Sequence, residues 1–90
     1  MVKDAFAIFF RKKPTLILLA LQKTSRARYG SLLAKEVDCT YSHAVKILQN
    51  LEKFGLVSFE KKGRIKIVKL TARGQNVAEH LKKIKELLSR

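Results

Sequence analysis

The sequence predicts an α+β domain: a helical first half, a β-hairpin and one long closing helix. Three observations predict it. Apolar residues recur at three- and four-residue steps through residues 16–21, 32–37 and 44–54, the period of a helix with one face inward. Between Leu56 and Leu70 the period changes to apolar–charged alternation, interrupted at residues 60–64 by a basic stretch containing Gly63. After Thr71 the helical period returns, with Val77, Leu81, Ile84 and Leu88 forming a coiled-coil-like seam. Ninety residues, 47% of them apolar, suffice for one domain with a single core.

In chain order, Asp4 is a candidate cap for a first short helix over residues 5–11, with Phe6, Phe9 and Phe10 on one side. Three aromatics on so short an element need a destination, and a partner subunit suits them as well as the core does. Lys13-Pro14 breaks the segment. Pro14 suits the first position of a new helix, where its missing N–H costs nothing. That helix, residues 14–23, carries Leu16, Ile17, Leu19, Ala20 and Leu21 nearly all round, so it is expected at the centre. Residues 24–28 read as a polar, basic loop. Another helix begins at Tyr29 or Ser31 and runs to Val37, with Leu32, Leu33, Glu36 and Val37 spaced for amphipathicity. Asp38-Cys39 is a very short turn into the next helix.

That next helix, residues 40–54, is the element around which the chain is organised. Ala44, Ile47, Leu48, Leu51 and Phe54 share one apolar stripe. Opposite it lie Ser42, Lys46, Gln49, Asn50 and Lys53, with Tyr41, His43 and Val45 on the shoulders. The face carries no carboxylate; Glu52 points toward the flank. Thr40 is a good N-cap, since its hydroxyl can accept an orphan backbone N–H, and Gly55 stands where a left-handed terminating residue is wanted. Two short helices joined by a tight turn, the second with a polar outer face, form a helix-turn-helix. The hairpin that follows has Leu56, Val57 and Phe59, then Ile65, Ile67 and Leu70, as its apolar set. Its outward residues are basic: Lys61, Lys62, Arg64, Lys66 and Lys69. A hairpin beside a helix-turn-helix is a wing. Thr71 then caps the last helix, residues 72–89.

Charge narrows the function. Twenty Lys and Arg against seven Asp and Glu give +13, a field that attracts polyanions, nucleic acid first and an anionic membrane surface second. A lone cysteine, Cys39, cannot form an internal disulfide and suits a reducing cytosol. There is no run of eighteen apolar residues for a transmembrane helix, and the charges follow the N-terminal apolar run rather than preceding it, the wrong order for a signal peptide. A cytoplasmic, nucleoid-associated location is expected. Catalysis is not: the chain has no glycine-rich phosphate loop, no Ser–His–Asp pattern and no paired carboxylates. Cys39 and His43 are spaced for a metal, but two ligands are not a site, so neither metal nor cofactor is expected.

The run Leu48-Gln49-Asn50-Leu51-Glu52-Lys53-Phe54-Gly55-Leu56-Val57 resembles the close of the recognition helix in winged-helix regulators. Gly63-Arg64, followed by Val68-Lys69-Leu70-Thr71-Ala72-Arg73-Gly74, resembles the wing exit of the multiple-antibiotic-resistance-regulator (MarR) type and its small archaeal relatives. The resemblance spans roughly residues 14–88. It implies a winged helix-turn-helix with a three-helix core, a two-stranded wing and a long C-terminal helix for dimerisation. The 90 residues then divide into an N-terminal segment (1–13), a winged-helix core (14–71) and a dimerising helix (72–90). The wing lacks the Asp-Arg-Arg tip of typical members. The chain is also too short for the ligand pocket many of them carry, so no small-molecule effector is expected.

The expected partner is double-stranded DNA, bound by a homodimer, with no membrane contact. Helix 40–54 would lie in the major groove. Ser42, His43, Lys46 and Gln49 can bond base edges, Lys46 to guanine above all. Tyr41 and Val45 can meet a thymine methyl or sugar, while Asn50 and Lys53 lie nearer phosphate. Arg26, Arg28 and Ser31, at the start of the second helix, can hold the backbone. The wing residues Lys61, Lys62, Gly63, Arg64 and Lys66 would reach the adjacent minor groove or backbone, where an inserted Arg64 would read groove width. Phe6, Phe9, Phe10, Val77, Leu81, Ile84 and Leu88 are the candidate dimer interface. Plainer readings stand beside these: the wing lysines as a solvated edge that blocks strand pairing, His43 as a surface histidine, Tyr41 folded back on the core, and the seam of residues 77–88 as part of the monomer's own core. The leading role is a sequence-specific, repressor-like transcriptional regulator. Its alternatives are an architectural nucleoid protein with little base preference, or a winged helix that binds RNA or a protein assembly.

Overall fold

The computed structural model describes residues 6–23 and 28–89. A single 3₁₀ turn, Ala7–Phe10, leads into α1 (Lys12–Lys23). Then come β1 (Arg28–Tyr29), α2 (Gly30–Glu36), α3 (Tyr41–Lys53), β2 (Val57–Lys62), β3 (Ile65–Leu70) and α4 (Ala72–Leu88). The strands form one antiparallel sheet in the order β1-β3-β2. Four helices and a hairpin in this order are a winged helix, the fold class expected.

The core gathers one stripe from each element. Ile17 and Leu18 of α1, Leu33 of α2, Leu48 and Leu51 of α3, Val57 of β2 and Val68 of β3 are essentially sealed from solvent. Each such side chain contributes about 1.5–3 kcal/mol relative to an exposed one. Ala34, Ala44 and Ala78 are the small buried residues that α2, α3 and α4 add to the core.

Several expectations need correction. The expected helix over residues 5–11 is one 3₁₀ turn, closed by Phe9 N–H to the Phe6 carbonyl at 3.2 Å; Asp4 and Ala5 lie outside the described residues. Pro14 is the reason: it has no N–H for the Phe10 carbonyl, and its ring crowds that carbonyl, so no continuous helix passes through. Thr15 Oγ1 instead donates to the Phe9 carbonyl at 3.2 Å. The helix after the break starts at Lys12, with Pro14 third, still within the first turn where N–H groups have no helical partner. Tyr29 caps α2 without a side-chain hydrogen bond, and Leu32, assigned to the inward face, is exposed while Ala34 is buried.

The residues read as loop or helix start at 28 and 29 form β1, pairing Arg28 with Val68 and Tyr29 with Ile67. Strand β2 continues through Lys62, and the connection is Gly63-Arg64 alone, with Gly63 at φ +63° as a tight hairpin turn requires. The inward phase of β3 also differs from the expected one. Val57 pairs with Leu70 and Phe59 with Val68 on the core side. Ile65 and Ile67 therefore point outward with Lys69, and Lys66 points inward-side with Val68.

Candidate nucleic-acid interface

The geometry of α3 is fixed at both ends. Thr40 accepts the His43 N–H at 3.2 Å, as its sequence position foretells. At the other end Gly55, at φ +78°, lets Leu56 N–H reach the Leu51 carbonyl and Gly55 N–H the Glu52 carbonyl, both at 2.9 Å. That pair of bonds is a Schellman ending. The turn before α3 uses the same device on α2: Cys39 N–H reaches the Ala34 carbonyl at 2.9 Å and Asp38 N–H the Lys35 carbonyl at 3.2 Å. Asp38 takes the left-handed φ of +57° usually left to glycine or asparagine. From α1, Lys13 Nζ donates to the Val37 and Asp38 carbonyls, each at 2.7 Å, so a cation fills the C-terminal end of α2 and pins the turn. Cys39 is half-buried there.

Between its ends α3 buries Ala44, Ile47, Leu48 and Leu51. Ser42, Lys46, Gln49 and Lys53 lie exposed on the opposite stripe, with His43 and Asn50 on one shoulder and Tyr41 and half-buried Val45 on the other. Tyr41 does not fold into the core; it is 61% exposed and leans over Gly30. The wing flanks the Tyr41 shoulder. Tyr41, Val45 and Gln49 line one shallow cleft with Phe59, Lys66 and Val68 of the sheet. Lys66 Nζ stands 4.4 Å from the centre of the Phe59 ring. Helix and wing thus bring together two of the expected groups on one side of the domain. Lys61, Gly63 and Arg64 are exposed toward the wing tip, and Lys62 is exposed on the other face of the hairpin.

Ser31 is exposed in the first turn of α2. Arg26 lies outside the described residues, as do the side chains of Arg28 and Phe10. Of the expected dimer interface, Val77, Leu81 and Phe9 pack against the monomer's own core, whereas Ile84 and Leu88 are 52% and 80% exposed. Leu87 and Phe6 are also largely exposed. Three features lie beyond the expected set: exposed Leu87, Phe59 beneath Lys66, and the Lys13 ammonium at the end of α2. Leu87 lies three residues after Ile84 and was findable by periodicity; the other two depend on contacts between distant elements.

The wing joins α3 through one backbone junction. Thr71 Oγ1 accepts the Gly74 N–H at 3.0 Å, capping α4, and donates to the Gly55 carbonyl at 2.6 Å. Thr71 N–H reaches the Leu56 carbonyl at 3.0 Å. A Cβ at Gly74 would fall 1.8 Å from the Leu56 oxygen, so only glycine permits this approach. The Gly-Leu-Val close of α3 and the Leu-Thr-x-x-Gly exit of the wing are therefore two halves of one joint.

Residues 42–82 match the model of the DUF6293 C-terminal winged helix domain. By sequence, an uncharacterized protein of Archaeoglobus fulgidus is 28% identical over 98% of this chain and 96% of its own length. Among solved structures, AF1382 from Archaeoglobus fulgidus is similar at TM-score 0.86 and 27% identity, covering 97% of this chain and 99% of its own. The MarR family transcriptional regulator SPO1453 from Silicibacter pomeroyi gives TM-score 0.74 and 25% identity over 93% of this chain and 61% of that one. MepR of Staphylococcus aureus, solved in complex with DNA, gives TM-score 0.77 and 20% identity over 89% of this chain and 68% of that one.

Proposed function

We propose that this winged-helix chain, similar in structure to a MarR family regulator, binds double-stranded DNA as a homodimer and regulates transcription. The observation that carries this is the convergence of the acid-free outer face of α3 with the wing lysine Lys66 at one cleft. Ser42, Lys46 and Gln49 offer donors and acceptors to base edges from a helix whose two ends are locked. Lys53 and Asn50 on α3, with Lys61 and Arg64 on the wing, reach phosphate. MepR, solved in complex with DNA, has the same fold, which supports DNA as the partner. Ile84, Leu87, Leu88 and Phe6 supply apolar surface for the second copy. Such a dimer would act at a pseudo-palindrome, and the role we assign it is repressor-like.

A second role, architectural binding with little base preference, draws on one observation. Lysines are also exposed on elements other than α3 and the wing, at Lys12, Lys23, Lys35, Lys82, Lys83 and Lys85. A salt series of binding to the DNA upstream of the protein's own gene, against a scrambled duplex, separates the two. A regulator is expected to keep a preference of ~10³ or more as salt rises. Equal affinities that collapse together would make the protein architectural, and binding to neither duplex would overturn both.

A further inference from the structure

The four lysines of the wing divide by face. Lys61 and Lys66 are directly opposed across β2 and β3, on the face that continues the buried pairs Val57–Leu70 and Phe59–Val68. Lys62 and Lys69 stand on the reverse face. Side chains directly opposed in an antiparallel pair have Cβ atoms about 4.5–5.5 Å apart, and like charges there repel. Among the described residues neither ammonium has a carboxylate partner. Lys66 is instead held over the Phe59 ring, whose electron-rich face attracts a cation. Phe59 in turn packs against the core, so the ring is an anchored shelf. The reverse face differs in chemistry. It carries Glu60 between Ser58 and Lys62, and exposed Ile65 and Tyr29 beside Ile67.

We propose that Lys61 and Lys66 form a clamp for one stretch of DNA phosphate beside the recognition helix, that Phe59 is its positioning residue, and that Lys62 and Lys69 take no part in DNA contact. The clamp rests on the DNA-binding role proposed above. Two lysines at directly opposed positions, neither with a carboxylate partner among the described residues, suit an anion between them. On the α3 side of the wing, next to Tyr41 and Gln49, the anion a duplex presents is the phosphodiester oxygen. The reverse face, with its carboxylate and apolar side chains, presents no such demand.

The test compares two double variants that remove the same charge. Lys61→Ala with Lys66→Ala, and Lys62→Ala with Lys69→Ala, each lower the net charge by two from +13. Binding to a scrambled duplex is followed by fluorescence anisotropy across a salt series. Each lost phosphate contact removes about 0.9 from the slope of log K against log salt, so the first variant is expected to lose about 1.8 and the second close to none. Phe59→Leu keeps apolar bulk and all four lysines, and is expected to lower both affinity and slope by less than the first variant, at a melting temperature that shows it folded. Equal slope losses in the two double variants, or an unchanged slope in the first, would overturn the clamp while leaving DNA binding in place. A wild-type protein that binds no duplex would overturn the DNA-binding role and the clamp together.

Discussion

The two ends of α4 are built for different purposes. At the N-terminal end backbone meets backbone: Thr71 caps the helix and holds Gly55, Gly74 lies against the Leu56 carbonyl, and Ala78 is wholly buried. Nothing there has slack, and that joint sets the position of the wing relative to α3. At the C-terminal end the apolar stripe of Val77 and Leu81 continues past the monomer's body as Ile84, Leu87 and Leu88, all exposed. One helix thus fixes a site at one end and offers an uncovered surface at the other. Its sequence shows the difference as small residues near its start and large aliphatic ones near its close.

The sharpest way to break the fixed end is Gly74→Ala. Alanine favours helix by about 1 kcal/mol over glycine, so propensity alone predicts stabilisation. The clash with the Leu56 carbonyl predicts the reverse, a loss of about 3 kcal/mol. A domain of this size loses about 4–8 °C in Tm per kcal/mol, so thermal unfolding followed by circular dichroism resolves the sign at once. The open end is expected to answer differently. Ile84→Glu with Leu88→Glu should leave the melting of the monomer nearly unchanged and abolish self-association in sedimentation velocity. A variant that stays dimeric would move the interface to the segment around Phe6. On the face that the joint positions, Lys46→Ala is expected to cost about 1–3 kcal/mol at one base position and relax preference there. Equal loss on every sequence would place Lys46 on phosphate. Smallest of all, Thr40→Ala and Thr71→Ala each remove a helix cap worth about 1 kcal/mol. Thr71 also holds the Gly55 carbonyl, so its variant should lose more than that of Thr40.

Much of this architecture is legible in the residues, and the limits have physical causes. Helix α3 announces its cap, its stripe and its stop, because each is a local chemical need met within four residues. The hairpin and α4 are legible for the same reason. Strand β1 is not, since two residues carry no alternation and Arg28 and Tyr29 pair with partners about forty residues away. The phase of β3 misleads because Ile65 and Ile67 look inward by hydrophobicity, while register with β2 puts Val68 inside. Lys13 stands out in the sequence only as the residue before Pro14, yet its ammonium closes the end of α2 across 24 residues of sequence. In the candidate interface the residue types on α3 are readable. Their grouping with Phe59 and Lys66 depends on the joint at Gly74, which no local pattern reveals.

The most direct test of the central claim is a hydroxyl-radical footprint on the DNA upstream of the protein's own gene. Two copies of α3, presented by a dimer through α4, predict two protected patches about one helical turn apart, ~34 Å, related by a pseudo-palindrome. A single patch, or protection spread evenly along the duplex, would contradict a dimer that reads sequence with this helix and wing.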